Sequence, residues 1–189
     1  MQLVGLKEIR VGDPLTRGVK APESSTGQKD SAEELIKAFK KVVQPYQGGI
    51  TFNFSNPTSQ KYYREGQADP FFTLKDPTSG SKEVSWNVAD FDDDTLTFYF
   101  GTKSPEQGKL YEGQKAFVFV AESGLSLAFA NLKYAASLTG GMNTGSPAQI
   151  AVTAEVLAPA NGGYSWWPIA TPTFTGDDWK ATDATDDKL

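Results

Sequence analysis

The sequence predicts a mainly β protein: a two-sheet β-sandwich or half-barrel with one flanking helix and extended terminal arms. Three observations point there. Short runs alternate apolar and polar residues with a period of two. Turn residues separate those runs at short intervals. A single stretch, residues 31–43, instead carries a helical period. Together these divide the chain into an N-terminal arm (1–29), a β domain (30–159) and a Trp- and Asp-rich C-terminal arm (160–189).

The elements follow in order. Leu3, Val4, Leu6, Ile9 and Val11 suit one short strand, after which Pro14 and the run APESSTGQKD read as loop. In 31–43, Leu35, Ile36, Phe39, Val42 and Val43 share one helical face. Glu33 and Glu34 lead and Lys37, Lys40 and Lys41 trail, which complements a helix dipole. Asp30 or Ser31 offers a cap, and Pro45 a stop. Beyond Gly49 the pattern turns to strand: 50–55, 71–75, 83–88, 116–121, 125–129, 133–138 and 150–157. The stretch 92–101 is mixed. Its acids suit a helix start and Gly101 a helix end, while its β-branched and aromatic content suits a strand. A short helix is the favoured reading. Residues 159–189 lose periodicity, yet hold Trp166, Trp167 and Trp179. A disordered tail is normally poor in aromatics, so this one is expected to pack against something.

Composition removes whole classes of chemistry. The 189 residues include no Cys and no His. A disulfide framework, a thiolate nucleophile, a Cys/His zinc site and a Ser-His-Asp triad are therefore excluded. Eighteen basic residues against 23 acidic ones give a net charge of −5. That is the wrong sign for a phosphate clamp. The ends are opposed: residues 1–20 carry a net +2 and residues 176–189 a net −3. No Sec-type leader is visible at the start, and the longest apolar run, 116–121, is far too short to span a bilayer as a helix. The expectation is a chain made in the cytoplasm without a membrane anchor.

Few residue sets carry a chemical signal. Asp90, Asp92, Asp93 and Asp94 form an acid cluster, but without the glycine and terminal glutamate of an EF-hand loop. They read equally as a charged helix start. Glu65, Asp69, Glu83 and Glu112 lie among strands and could supply a carboxylate pair, with no motif behind them. Tyr164, Trp166, Trp167 and Trp179 could form a platform for a sugar or a protein groove, or could be core. The run TGGMNTG lacks the Gly-Lys-Ser/Thr of a P-loop, and the sequon at Asn53 reads as chance. No cofactor is expected, and no enzymatic activity.

The order of pieces resembles a known family. Residues 50–66 hold Ile50-Thr51, Pro57-Thr58 and Glu65-Gly66 in turn, and lead into a strand–turn–strand pair. The acidic segment DFDDDTLTFYFG closes on Gly101. The run KAFVFVAESGLSLAFANLKYAASLTG is a hairpin leading into a further strand, and AQIAVTAEVLAP ends the segment. This looks like the tail tube protein of long-tailed bacteriophages. The resemblance covers residues 50–159 and extends neither to the helical stretch nor to the Trp-rich tail.

That resemblance implies a two-sheet sandwich or half-barrel of the tube type with a helix on its flank. It implies six copies in a ring, with inner sheets joined into a continuous barrel and rings stacked through a long loop and terminal arms. The lumen would hold the tape-measure protein and later conduct DNA. Tail terminator and baseplate proteins would bound the tube, and the chain would reside in the virion tail. Interface candidates are Leu3, Leu6, Arg10, Arg17, Tyr62, Tyr63, Arg64, Tyr111, Trp166, Trp167 and Trp179. Lumen-facing acidic candidates are Asp90, Asp92, Asp93, Asp94 and Glu122. Net acidity fits a conduit, because a negative wall repels phosphates. Three other readings share the composition. One is a tube of a contractile tail or secretion apparatus. Another is a β-sandwich module binding carbohydrate or protein. The third is an enzyme using two carboxylates.

Overall fold

One strand pair governs the architecture. The computed structural model describes residues 4–19, 34–42, 49–55, 59–62, 65–66, 69, 72–75, 81–143, 146–170 and 172–181. In chain order the elements are β1 (Val4–Gly12), β2 (Lys40–Val42), β3 (Ile50–Phe54), β4 (Ser59–Tyr62), β5 (Phe72–Lys75), β6 (Lys82–Val88), α1 (Asp93–Phe100), β7 (Tyr111–Ser123), β8 (Leu125–Asn143), β9 (Ser146–Val156) and β10 (Trp166–Ala170). A single antiparallel sheet runs β2-β1-β7-β8-β9-β6-β3, and β10 also pairs with β8. Strands β4 and β5 form a separate two-stranded ribbon.

Strand β8, 19 residues long, serves two neighbours on one edge. Its start, Leu125 to Phe129, pairs with β10. Its remainder, from Leu132, pairs with β9. The handover is marked by two backbone bonds. Ala130 N–H donates to the Ser165 carbonyl at 2.9 Å, and Leu157 N–H donates to the Asn131 carbonyl at 3.0 Å. Opposite this point, β7 shifts register between Lys115 and Phe117. Such an irregularity bends a strand and increases its twist. The sheet therefore curls into a half-barrel, with β2, β1 and β10 in one lobe and β9, β6 and β3 in the other.

The inside of the curl is aromatic. Phe117, Phe119 and Phe129 are fully buried there. The Trp86 ring lies 5.4 Å from Phe117 and 5.3 Å from Phe119. Its indole Nε1 donates to the Tyr99 hydroxyl at 3.1 Å, so the polar handle of a buried Trp is satisfied. Alternation feeds this core directly: Val84, Trp86 and Val88 from β6, and Ile150, Val152 and Ala154 from β9. Helix α1 adds Phe98, Tyr99 and Phe100. A second apolar cluster lies on the other side of the β7–β8 start. Ala116, Val118, Val120, Ala128 and Ala130 are covered there by Ile36, Phe39, Trp167 and Ile169. Both faces of 116–120 are thus buried, which is why that stretch is a continuous apolar run.

Helix α1 confirms the favoured reading of 92–101. The Asp92 carboxylate accepts from Thr95 N–H at 2.6 Å and caps the N-terminus. Gly101 ends the helix at φ 67°, a left-handed conformation that suits glycine, and its N–H reaches the Thr97 carbonyl.

Four expectations need correction. The helix at 31–43 is absent from the described part of that stretch: 34–38 is a run of turns and 40–42 is strand β2. The apolar residues that shared a helical face are needed on opposite sides of the sheet. Ile36 and Phe39 enter the outer cluster, and Val42 enters the inner one. A helix would hold them on one side. The N-terminal stretch is not a detached arm, because β1 lies between β2 and β7 with Ile9 and Val11 buried. The two sheets are one continuous sheet, and the runs 125–129 and 133–138 belong to one strand.

Three outcomes are expected. Asp92→Ala should lower unfolding stability by about 1 kcal/mol, and Phe117→Ala by about 3–5 kcal/mol, both read from urea midpoints. The Tyr99 hydroxyl is pushed well above its ordinary value of 10.0, chiefly by burial. The folded state therefore resists its ionisation. Its contribution is complete below the unfolded-state value near 10 and is lost progressively as pH rises beyond it. Tyr99→Phe should flatten that alkaline loss in thermal melts taken across pH 9–12.

Candidate interaction surfaces

The two lobes present different outer faces. The lobe of β9, β6 and β3, with the adjoining halves of β7 and β8, leaves its outer face open. Register places its outward side chains in rows. One row runs Gln114, Lys133, Glu155, Glu83, Asn53, and the next runs Glu112, Ala135, Thr153, Ser85, Thr51. A third holds Ser137, Ala151 and Asn87. The side chains are small or polar, and none is aromatic. Lys133 Nζ pairs with Glu112 at 3.2 Å. Glu83 and Glu155 are direct cross-strand partners. Like charges placed opposite destabilise a sheet, and Lys133, opposite Glu155 on its other side, offsets part of that repulsion. Glu83, Glu112, Lys133 and Glu155 line one shallow concavity of about 300 Å³.

Of the four carboxylates singled out in the sequence, Glu83 and Glu112 share that concavity, while Glu65 and Asp69 are exposed elsewhere. Sequence reasoning missed Glu155 and Lys133 as their companions. The outward positions of the alternating runs 133–139 and 151–155 were the available signal. The acid cluster is largely occupied with structure. Asp92 caps α1, Asp93 pairs with Lys103 at 2.7 Å, and Asp94 accepts from Ala181 N–H at 2.8 Å. The hydrogen bond from Lys103 to Asp93 holds the Lys103 ammonium above its usual value. Asp90 and Glu122 are exposed. Among the described residues, no group of three or more acidic side chains could hold a metal ion.

The tryptophans are packed rather than displayed. Trp167 is 5% exposed in the outer cluster. Trp166 lies against Phe54 with ring centres 5.5 Å apart. Trp179 lies against Phe98 at 5.2 Å. Tyr164 is 49% exposed, while Trp166 and Trp179 are half-buried. Leu6 and Tyr111 are half-buried against the inner core. Arg17 is half-buried, and Tyr62 is exposed on β4. Leu3, Tyr63 and Arg64 lie outside the described residues.

Arg10 is the hub of a second feature. Its Nε donates to Glu8 at 3.1 Å, and its Nη1 to the Gly176 carbonyl at 2.8 Å. A longer bond of 3.4 Å reaches the Phe39 carbonyl. The guanidinium also stands 4.8 Å from the Phe174 ring centre. Residues 174–179 are thereby laid along the outer edge of β2: Lys41 N–H donates to Asp177, and Trp179 N–H donates to Lys41. Beside this strap is a groove of about 520 Å³ lined by Leu15, Phe39, Phe98 and Trp179, with Lys115 and Asp13 paired at 3.2 Å.

Among the described residues, no helix is long and apolar enough to cross a membrane. The chain matches no family model and no curated protein.

Trp167→Ala tests the packed assignment. It should destabilise the protein by about 3–5 kcal/mol as a core truncation, read by chemical unfolding. A variant of unchanged stability would return Trp167 to the surface.

Proposed function

We propose that this chain is a structural subunit of a hollow tube, of the kind found in long-tailed bacteriophages. Six copies form a ring, rings stack, and the lumen conducts DNA. The half-barrel is then the tube-type fold, with its open lobe turned inward. In that reading the tape-measure protein fills the lumen first, terminator and baseplate proteins bound the ends, and the protein resides in the virion tail.

The observation that carries this reading is the sidedness of the sheet. One lobe is wrapped on both faces by apolar side chains. The other leaves a broad outer face of Ser, Thr, Ala and Asn, with Glu83, Glu112 and Glu155 against one Lys133. A free enzyme or lectin needs convergent polar groups or exposed rings in a pocket. The concavity on this face, between Glu83, Glu112, Lys133 and Glu155, is shallow and holds no exposed ring. Small side chains give no hook, and a carboxylate excess repels phosphate, so a polyanion slides along such a wall instead of adhering to it. The wall-lining acids become Glu83, Glu112 and Glu155, in place of the Asp92–Asp94 group occupied in and around α1.

Negative-stain microscopy of the concentrated protein tests the assembly. Hollow tubes or six-fold rings are expected, and a protein that stays monomeric at every concentration overturns the reading. Tubes of the wild type should not retain duplex DNA in co-sedimentation. Tubes carrying Glu83→Lys and Glu155→Lys should retain it in a salt-sensitive manner. Equal retention by both would remove the role of the wall.

A further inference from the structure

We propose that the outer edge of β2 is a strand-addition site that the chain holds closed against itself: residues 174–179 form a reversible guard, and while it is seated no other extended segment can pair there. A single copy of the chain is involved, and nothing in the closure depends on the tube reading.

Arg10 and Lys41 stand opposite each other in the β1–β2 pair. Lys41 turns its N–H and its carbonyl away from β1. The N–H donates to the Asp177 carbonyl at 3.1 Å, and the carbonyl accepts from Trp179 N–H at 2.8 Å. Such outward groups are what an edge strand offers to an incoming one. The guard takes both, with Lys41 and Asp178 as parallel bridge partners. Backbone bonds hold an added strand, and its side chains select it. Phe174 lies against the Arg10 guanidinium, whose Nη1 also donates to the Gly176 carbonyl at 2.8 Å. Trp179 packs on Phe98. Position 176 favours glycine, because a Cβ there would lie 2.5 Å from the Phe39 carbonyl oxygen and 2.6 Å from that of Ala38. The edge therefore fits an extended segment with an aromatic residue, a glycine two places on, and a second aromatic residue three places after that.

The guard can leave while the sheet stays. None of residues 172–181 is fully buried, whereas Ile9, Val11 and Val42 in the strands beside it are. A segment with little buried area opens at lower cost than the sheet it lies on. Its near end is held by Thr175, whose N–H and Oγ1 reach the Lys37 carbonyl at 2.8 and 3.2 Å. At its far end Ala181 N–H donates to Asp94 at 2.8 Å. Opening frees the Lys41 edge and removes one wall of the adjoining groove, which Trp179 lines with Leu15, Phe39 and Phe98. Covering an edge is one way sheets avoid unwanted pairing. The tether keeps the guard at high local concentration, so closure in cis outcompetes a free segment of the same kind.

Hydrogen exchange and a fluorescent peptide copying residues 172–181 test this on dilute, full-length protein. In the wild type the Lys41 amide should exchange through a local opening, without the denaturant dependence of the Phe117 amide. Gly176→Val should raise Lys41 exchange about tenfold, as expected for losing roughly one net hydrogen bond, and leave Phe117 unchanged. The same variant should bind the peptide at least about tenfold more tightly than the wild type, because the guard no longer competes. Adding Lys41→Pro removes the outward donor and spares the β1 ladder, and should abolish peptide binding. Trp179→Ala loosens the guard without introducing a clash and should reproduce both effects of Gly176→Val. Circular dichroism shows which variants keep the fold, and either one suffices. Lys41 exchange that requires global unfolding, peptide binding no tighter than to the wild type, or binding that persists with Lys41→Pro overturns the proposal.

Discussion

A strand that must satisfy two neighbours on the same edge cannot stay straight, and most of this molecule is arranged around that constraint. β8 gives its first residues to β10 and the rest to β9. Between them, Asn131 is held at the bend: its backbone carbonyl accepts from Leu157, and its side chain accepts from Gln114 Nε2 at 2.9 Å. A buried polar side chain held in this way fixes a geometry that an apolar residue would leave loose. The curl, the aromatic interior and the placement of α1 all follow from where this pair of strands bends.

The bend also divides labour between the lobes. The lobe near the chain termini is covered on its outside by chain from 13–19 and 34–39, which packs beside Trp167 and Ile169 of β10. The other lobe is one sheet with water on its outer side. Burying both faces of one half supplies the rigidity that lets the other half keep a face of small and charged residues. An isolated sheet of that composition would lack the apolar area needed to fold.

Where a local rule and the tertiary need agreed, the sequence was legible. Strands β3, β6 and β9 alternate because one face is core and the other is water. α1 was readable from Asp92 and Gly101, whose capping roles are chemical rather than statistical. Legibility failed where one segment feeds two cores. Leu35, Ile36, Phe39 and Val42 have helical spacing, but they part to opposite sides of the sheet. For the tryptophans the packing was legible and the strand was not: Gly162, Gly163 and Pro168 mark a loop by composition, yet β10 is a paired strand with Trp166 and Trp167 facing opposite clusters. Glu83 and Glu112 were visible as carboxylates. Their common face with Glu155 was not, since cross-strand register is a property of the folded sheet.

The curl closes in an unusual material. Where β3 approaches β10 and the start of β8, the contact is made by rings: Phe52 stacks over Phe129 at 6.1 Å, and Phe54 tilts against Trp166 at 5.5 Å. The described pairings include no backbone ladder between β3 and β10. A hydrogen-bonded closure has one register and breaks in whole steps. Rings on rings slide through a shallow range of offsets with small changes in energy. Among the described residues, the two edges of the curl are therefore joined by side-chain packing alone, and the seam lacks the fixed register that a backbone ladder would impose.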